Sequence, residues 1–92
     1  MITIYKYELA VVDEQTISAD IVRFLDIQIQ HGVVCLWALV DNSPHPHMPN
    51  HLITIFGTGH PFPIKILSTH EFLSTIQLPG VNFVGHVFVP RL

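Results

Sequence analysis

Alternating hydrophobic and polar residues run through much of the chain and predict β-strands. Residues 2–9 alternate and are rich in β-branched and aromatic side chains, which suits a strand. Residues 21–30 alternate more clearly. One face of that strand is expected to carry Ile21, Leu25, Ile27 and Ile29. The opposite face is expected to carry Asp26, Gln28 and Gln30.

The segment that follows predicts a β-hairpin. His31 and Gly32 form a two-residue turn signal, because glycine tolerates the positive φ that tight hairpins need. Residues 33–41 then return as a strand that is hydrophobic on both faces. This pattern is typical of a central strand that is covered on both sides.

The remainder of the chain predicts further strands separated by proline and glycine. Three prolines make residues 42–50 a loop. Residues 13–17 suit either a short edge strand or a turn, and a short helical turn fits residues 68–72. The other strands are predicted over 51–56, 72–78 and 81–89, the last two joined by a Pro79-Gly80 turn. About six strands predict an all-β fold, a small antiparallel sandwich or barrel with at most one helical turn.

Composition adds an expectation about assembly. The 92 residues suit one domain, residues 1–92, because two separate cores would each be too small. Only 12% of residues are charged, against about 25% in an average soluble domain. Some of the surface must therefore be apolar, and such patches usually mark interfaces. The sequence predicts a homo-oligomer.

Charge narrows the range of ligands. The net charge is −3 and the only fixed cations are Lys6, Arg23, Lys65 and Arg91, which argues against binding long nucleic acid. A ligand with one or two phosphates needs only backbone N–H groups and one cation. The chain shows no signal peptide and no apolar run long enough for a membrane span, so we expect a cytoplasmic protein that does not bind membranes.

Candidate catalytic and metal-binding groups are incomplete. His45, His47 and His51 form an H-x-H-x3-H pattern that could bind zinc or copper, but no cysteine or well-placed carboxylate completes the ligand set. The lone Cys35 lies in a strand pattern and predicts an inert buried thiol. No serine stands in a nucleophile-elbow motif. The sequence predicts a protein that is not an enzyme and has no cofactor.

The loop after the fourth main strand is the most distinctive segment. Gly57 and Gly59 flank Thr58, and His60 follows. The glycines would let the backbone approach a ligand and direct N–H groups at an anion. Alternatively the segment is a strand-ending turn in which glycine supplies a positive φ. The loop lacks the complete pattern of a Walker loop or a dinucleotide fingerprint.

Aromatic and imidazole side chains are further candidates for ligand contact. Trp37 could stack on a nucleobase or pack in the core. Tyr5 and Tyr7 should share one face of the first strand, with Lys6 on the other. His86 interrupts the hydrophobic last strand, where a histidine is more often a hydrogen-bonded sheet residue than a ligand contact.

Four segments carry a resemblance to a known family. They are Thr3–Tyr7 (TIYKY), Cys35–Val40 (CLWALV), Ile55–Pro61 (IFGTGHP) and Gly85–Phe88 (GHVF). Together they resemble a family of short phage and prophage proteins, and the resemblance covers nearly the whole chain. Residues 42–50 depart from it, because they are unusually rich in histidine and proline.

The resemblance implies an anti-defence function in the host cytoplasm. The expected activity is that of an anti-CBASS sponge, an oligomer that sequesters a cyclic dinucleotide immune signal without cleaving it. The resemblance implies a ligand site, with these expected members: Gly57, Thr58, Gly59, His60, Trp37, Tyr5, Lys6, Arg91 and His86. Thr58, Gly59 and His60 would hold phosphates or base edges. A small module that inhibits a host protein by occlusion is the alternative function.

Overall fold

A computed structural model describes residues 1–44 and 48–92. It contains seven strands and one helical turn, and so confirms the all-β fold. The strands are β1 (Ile2–Leu9), β2 (Glu14–Ser18), β3 (Ile21–Gln30), β4 (Val33–Asp41), β5 (Asn50–Gly57), β6 (His70–Gln77) and β7 (Val84–Pro90). The helical turn, α1, spans Ile66–Thr69, slightly earlier than predicted. Of the edge strand and the turn predicted for residues 13–17, the structure shows the edge strand, β2.

The strands form two antiparallel sheets that share one hydrophobic core. The three-stranded sheet has the order β1-β4-β3, so β4 is central as predicted. The four-stranded sheet has the order β2-β5-β7-β6. Fully buried side chains from both sheets meet in the core, among them Leu36, Ala38, Ile53, Val87 and Val89. The arrangement is sandwich-like rather than a closed barrel.

The β3–β4 hairpin is confirmed, with a tight turn at its tip. His31 has φ of 52° and Gly32 has φ of 77°. Two consecutive positive φ values define a type I′ turn, whose twist matches that of paired strands. His31 is the only non-glycine residue with positive φ in the described part of the chain.

The facing pattern predicted for β3 is wrong at one position. Leu25 is exposed, and Phe24 is buried in its place. The pairing with β4 has irregularities between Ile21 and Arg23 and between Phe24 and Asp26, each of which adds one residue to β3. Each such bulge shifts the alternation of buried and exposed side chains by one residue. The buried residues of β3 before and after a bulge are therefore not separated by an even number of positions.

A cluster of aromatic rings lies on the outer face of the four-stranded sheet. The ring of Phe62 stacks on that of Phe56 with centroids 4.4 Å apart, and it also contacts Phe88 at 5.6 Å. Ile66, four residues further along the chain in α1, is also buried. Phe62 thus folds back over this sheet, which explains why Phe56 is buried on the face away from the core.

The last strand begins later than predicted, at Val84 instead of Val81. Residues 78–83 form a loop that is closed by a hydrogen bond from the Leu78 N–H to the Phe83 carbonyl. Gly80 takes φ of 78° in this loop, so the Pro79-Gly80 turn is present but wider than a tight hairpin. No helix in residues 1–44 and 48–92 has the length and apolar character needed to cross a membrane.

Candidate functional site

The glycine loop is a turn that closes on itself. The His60 N–H donates to the Gly57 carbonyl at 3.0 Å, and Gly59 has φ of 82° at the third position, as a type II turn requires. The Thr58 N–H donates to the carbonyl of Val84 at 3.1 Å. The strand-ending turn is therefore the correct interpretation of the backbone. These two N–H groups are engaged within the chain and do not point at an anion.

Two glycines opposite each other make room for an aromatic ring of the same chain. Gly57 pairs with Gly85 between β5 and β7. A Cβ at Gly85 would lie 2.8 Å from Cε2 of Phe83 and 3.0 Å from Cγ2 of Ile55, and a Cβ at Gly57 would lie 3.2 Å from Cε1 of Phe83. The Phe83 ring thus lies across both glycines. The space above Gly85 is thus filled by an aromatic ring of the same chain.

The imidazole of His86 is held between two threonine hydroxyls. Its Nε2 lies 2.7 Å from Oγ1 of Thr58, and its Nδ1 lies 3.0 Å from Oγ1 of Thr75. A neutral imidazole donates through one nitrogen and accepts through the other, so one hydroxyl accepts and the other donates. His86 is thus a hydrogen-bonded sheet residue, as expected. It also fixes the position of the Thr58 hydroxyl.

A surface pocket of about 480 Å³ opens beside this turn. Its lining consists of Gly57, Thr58, His60, Asn82, Phe83 and Val84. The side chains offer a hydroxyl, an imidazole, an amide and an aromatic ring, and none of these lining residues is acidic. We refer to it as the glycine-loop pocket. The sequence pattern does not single out Asn82 and Phe83 as site residues, because it places residues 81–83 in the last strand.

The remaining predicted site residues lie elsewhere in the fold. Trp37 and Lys6 are directly opposite each other on the three-stranded sheet. Trp37 is half-buried on the face away from the core, so core packing is the wrong interpretation of this residue. The guanidinium of Arg91 donates to the Leu67 carbonyl at 3.3 Å and lies 3.6 Å from the Glu71 carboxylate. The nine predicted residues therefore do not form one site.

Tyr5 lines a second pocket, of about 290 Å³, between the ends of the two sheets. Tyr7 lies beside it, with ring centroids 6.4 Å apart, and both tyrosines share one face of β1 as expected. Burial raises the pKa of Tyr7, with a smaller contribution from Tyr5. Asp20 and Asp41 also line this pocket. Two carboxylates disfavour a phosphate here.

Asp41 carries the most strongly shifted carboxyl group among the described residues. The Ser43 hydroxyl at 2.6 Å and the Ser43 N–H at 3.0 Å both donate to Oδ1, and they are the main reason that the pKa is lowered to about 2. The Met1 amino group at 3.5 Å contributes further. A lowered pKa in the folded state means that this contribution to stability is present above the unfolded pKa and is lost as the pH falls toward 2.

Replacement of Ser43 by alanine should raise the pKa of Asp41 toward its ordinary value of 3.8, because the hydroxyl donor is removed. The measurement is an NMR titration that follows the carboxyl carbon. Ser74→Ala is the control, since the Ser74 hydroxyl donates to a backbone carbonyl and not to a carboxylate. An unchanged Asp41 titration in Ser43→Ala would contradict this explanation.

Of the three histidines predicted as metal ligands, the structure describes only His51. His45 and His47, two of the three histidines of the H-x-H-x3-H pattern, lie outside the described residues. His51 is buried, and its Nε2 donates to the Ala19 carbonyl at 2.9 Å. Among residues 1–44 and 48–92 no three histidine, cysteine or acidic side chains are grouped as metal ligands would be.

Comparison with known proteins places the chain in a family. The model of a domain of unknown function, DUF7352, matches residues 1–92. The chain belongs to the DUF7352 family. No curated protein and no solved structure matches it. The description of DUF7352 names no activity.

Proposed function

We propose that this DUF7352 protein binds a cyclic dinucleotide in the glycine-loop pocket and sequesters it without cleavage. One observation carries the proposal: the pocket gathers the Thr58 hydroxyl, the His60 imidazole and the Asn82 amide around a lining with no acidic side chain. The pocket lined by Tyr5 and Tyr7, which we call the tyrosine pocket, has two aromatic rings in its lining but also two aspartates. A phosphate is therefore better tolerated at the glycine loop.

Each side chain has a role that follows from its chemistry. When the Nε2–H of His86 donates to the Thr58 hydroxyl, the proton of that hydroxyl is free to donate to a phosphate oxygen. The Asn82 amide can donate to a phosphate oxygen or bond a base edge. Because His86 holds the Thr58 hydroxyl in place, little side-chain freedom is lost when a ligand binds. The Phe83 ring offers an apolar surface to a base.

The charge of the pocket lining determines the affinity and the salt dependence that we expect for the ligand. The pocket lining contains no lysine or arginine, so hydrogen bonds and stacking must supply the affinity. Log Kd of a ligand that is bound mainly through cations changes steeply with log salt concentration. We expect micromolar affinity with a shallow salt dependence.

Sequestration rather than hydrolysis is supported by the surroundings of His86. Both ring nitrogens contact threonine hydroxyls, and neither is oriented by a carboxylate. A histidine that acts as a general base is usually oriented by such a group through its second nitrogen. The hydrogen bonds at His86 fit a structural role.

Replacement of Thr58 by valine should weaken binding about tenfold, because the shape is kept and one charge-assisted hydrogen bond is lost. The measurement is calorimetric titration of a panel of cyclic di- and trinucleotides. Thr75→Val is the matched control, since it removes the other hydroxyl at His86 without touching the pocket. Ligand recovered intact after denaturation of the complex separates sequestration from cleavage. Absence of binding by every nucleotide in the panel would refute the proposal.

Occlusion of a host protein is the second candidate function. It is favoured by apolar side chains around α1 that face solvent, with Ile64 83% and Leu67 55% exposed. Such a surface suits contact with another protein. The titration distinguishes the two functions, because a module of this kind gives no heat with any cyclic nucleotide.

A further inference from the structure

The outer face of the three-stranded sheet, the face away from the core, is hydrophobic along its middle. Ile2 and Ile4 of β1 are more than half exposed, and Val33, Trp37 and Leu39 of β4 are half-buried. The four-stranded sheet has part of its own outer face covered by Phe62, which packs on Phe56 and Phe88. In the described residues the three-stranded sheet has no such cover.

Charged side chains flank this strip in a particular order. Lys6 of β1 and Asp26 of β3 both pair with Trp37, so the three residues form one row across the sheet. Lys6 donates to the side chain of Gln30 at 2.8 Å, and Asp26 accepts from Gln28 at 2.9 Å. Their partners are neutral. Within residues 1–44 and 48–92 neither Lys6 nor Asp26 belongs to an ion pair.

This row is complementary to itself. A two-fold axis that runs parallel to β4 between two stacked copies exchanges the β1 side with the β3 side. Lys6 of each copy then faces Asp26 of the other, and the two Trp37 side chains meet near the axis. An axis perpendicular to the strands and passing through this row would place Lys6 over Lys6 and Asp26 over Asp26, which like-charge repulsion disfavours.

We propose that the outer face of the three-stranded sheet is a homodimer interface with a two-fold axis parallel to β4. Two sheets stacked in this way lie about 10 Å apart with nearly aligned strands, a usual arrangement of packed sheets. A lysine side chain spans enough of that gap to reach the opposite carboxylate. The occupant of the hydrophobic strip is a second copy of this chain.

The size of the interface sets its strength. β4 has nine residues, and three strands of that length cover roughly 14 Å by 30 Å, or about 400 Å² on each copy. A standard interface buries about 800 Å² on each partner. We therefore expect a reversible dimer with a micromolar dissociation constant, and not a permanent one.

Charge exchange tests both the interface and its axis. Lys6→Glu places a glutamate against Asp26 at both ends of the row, and Asp26→Lys places a lysine against Lys6. Each variant alone should dimerise about tenfold more weakly than the wild type at low ionic strength. An equal mixture of the two should form a heterodimer with opposite charges at both ends and recover the affinity.

Sedimentation velocity over a range of protein concentrations measures these constants. Lys65→Glu and Asp13→Lys make the same charge changes away from this sheet and should dimerise like the wild type. A wild type that stays monomeric well above micromolar concentration overturns the proposal. So do single variants that dimerise normally, or a mixture no tighter than its components. Recovery in the mixture also shows that both variants are folded.

Discussion

Replacement of Gly85 by alanine should lower the free energy of unfolding by about 1–3 kcal/mol. The new Cβ would lie 2.8 Å from the Phe83 ring and 3.0 Å from the Ile55 side chain, closer than carbon atoms pack. Ile55 is buried in the core and cannot move aside easily. Without this contact the sign would reverse, because alanine in a strand is less costly in backbone entropy than glycine. Urea denaturation measures the change.

A second substitution isolates the cause of this effect. In the background of Phe83→Leu the ring edge is absent, so Gly85→Ala should cost much less than in the wild type. The double-mutant cycle should therefore show strong coupling between the two positions. Equal costs in both backgrounds, or a stabilised Gly85→Ala protein, would show that the ring does not explain the glycine.

Replacement of Leu36 by alanine should lower the free energy of unfolding by about 2–5 kcal/mol. Leu36 is 0% exposed, lies at the middle of the central strand β4 and belongs to the core shared by both sheets. Truncation leaves a cavity that residues from two sheets can only partly close. Leu67→Ala is the matched control, since Leu67 is exposed on α1, and its effect should stay within about 0.5 kcal/mol. Similar effects at both positions would contradict the assigned core.

Strand content and the position of β4 could be predicted from local pattern, but the direction in which β4 faces the core could not. Residues 33–41 are hydrophobic on both faces, which marks a central strand and leaves the two faces equivalent. The choice is made by the partners of β4. Tyr7 and Leu9 of β1 and Ile27 of β3 pair with the even-numbered residues of β4 or lie beside them, and so turn Trp37 outward.

Two further features, the irregularities in β3 and the stacking of Phe62 on Phe56, depend on contacts between residues that are distant in the chain. The irregularities in β3 depend on pairing with β4, and nothing in the local pattern marks them. The stacking of Phe62 on Phe56 depends on how residues 58–69 fold back, because two prolines there remove any periodic signal. Burial by contacts distant in the chain has no local signature.

Of the two segments that line the glycine-loop pocket, only the first could be predicted from the sequence, because long-range pairing brings in the second. Gly57, Thr58 and His60 are adjacent in sequence, so their loop could be recognised as one unit. Asn82 and Phe83 join them only because β5 pairs with β7. Gly57 and Gly59 were expected to admit a ligand, but the structure shows Phe83 packed against Gly57 and against Gly85 opposite it. The proposed ligand contacts therefore rest on side chains and not on backbone N–H groups.

Amide chemical shifts recorded during titration with a cyclic dinucleotide test the proposed ligand site most directly. We expect saturable shifts confined to the two segments that line the pocket, residues 57–60 and 82–84. In Thr58→Val the same shifts should need about tenfold more nucleotide to reach half of their full size. Shifts in residues on the outer face of the three-stranded sheet should appear only on dilution, as dimers dissociate. No shift in either pocket segment at saturating nucleotide, or shifts centred on the tyrosine pocket, would contradict the proposed site.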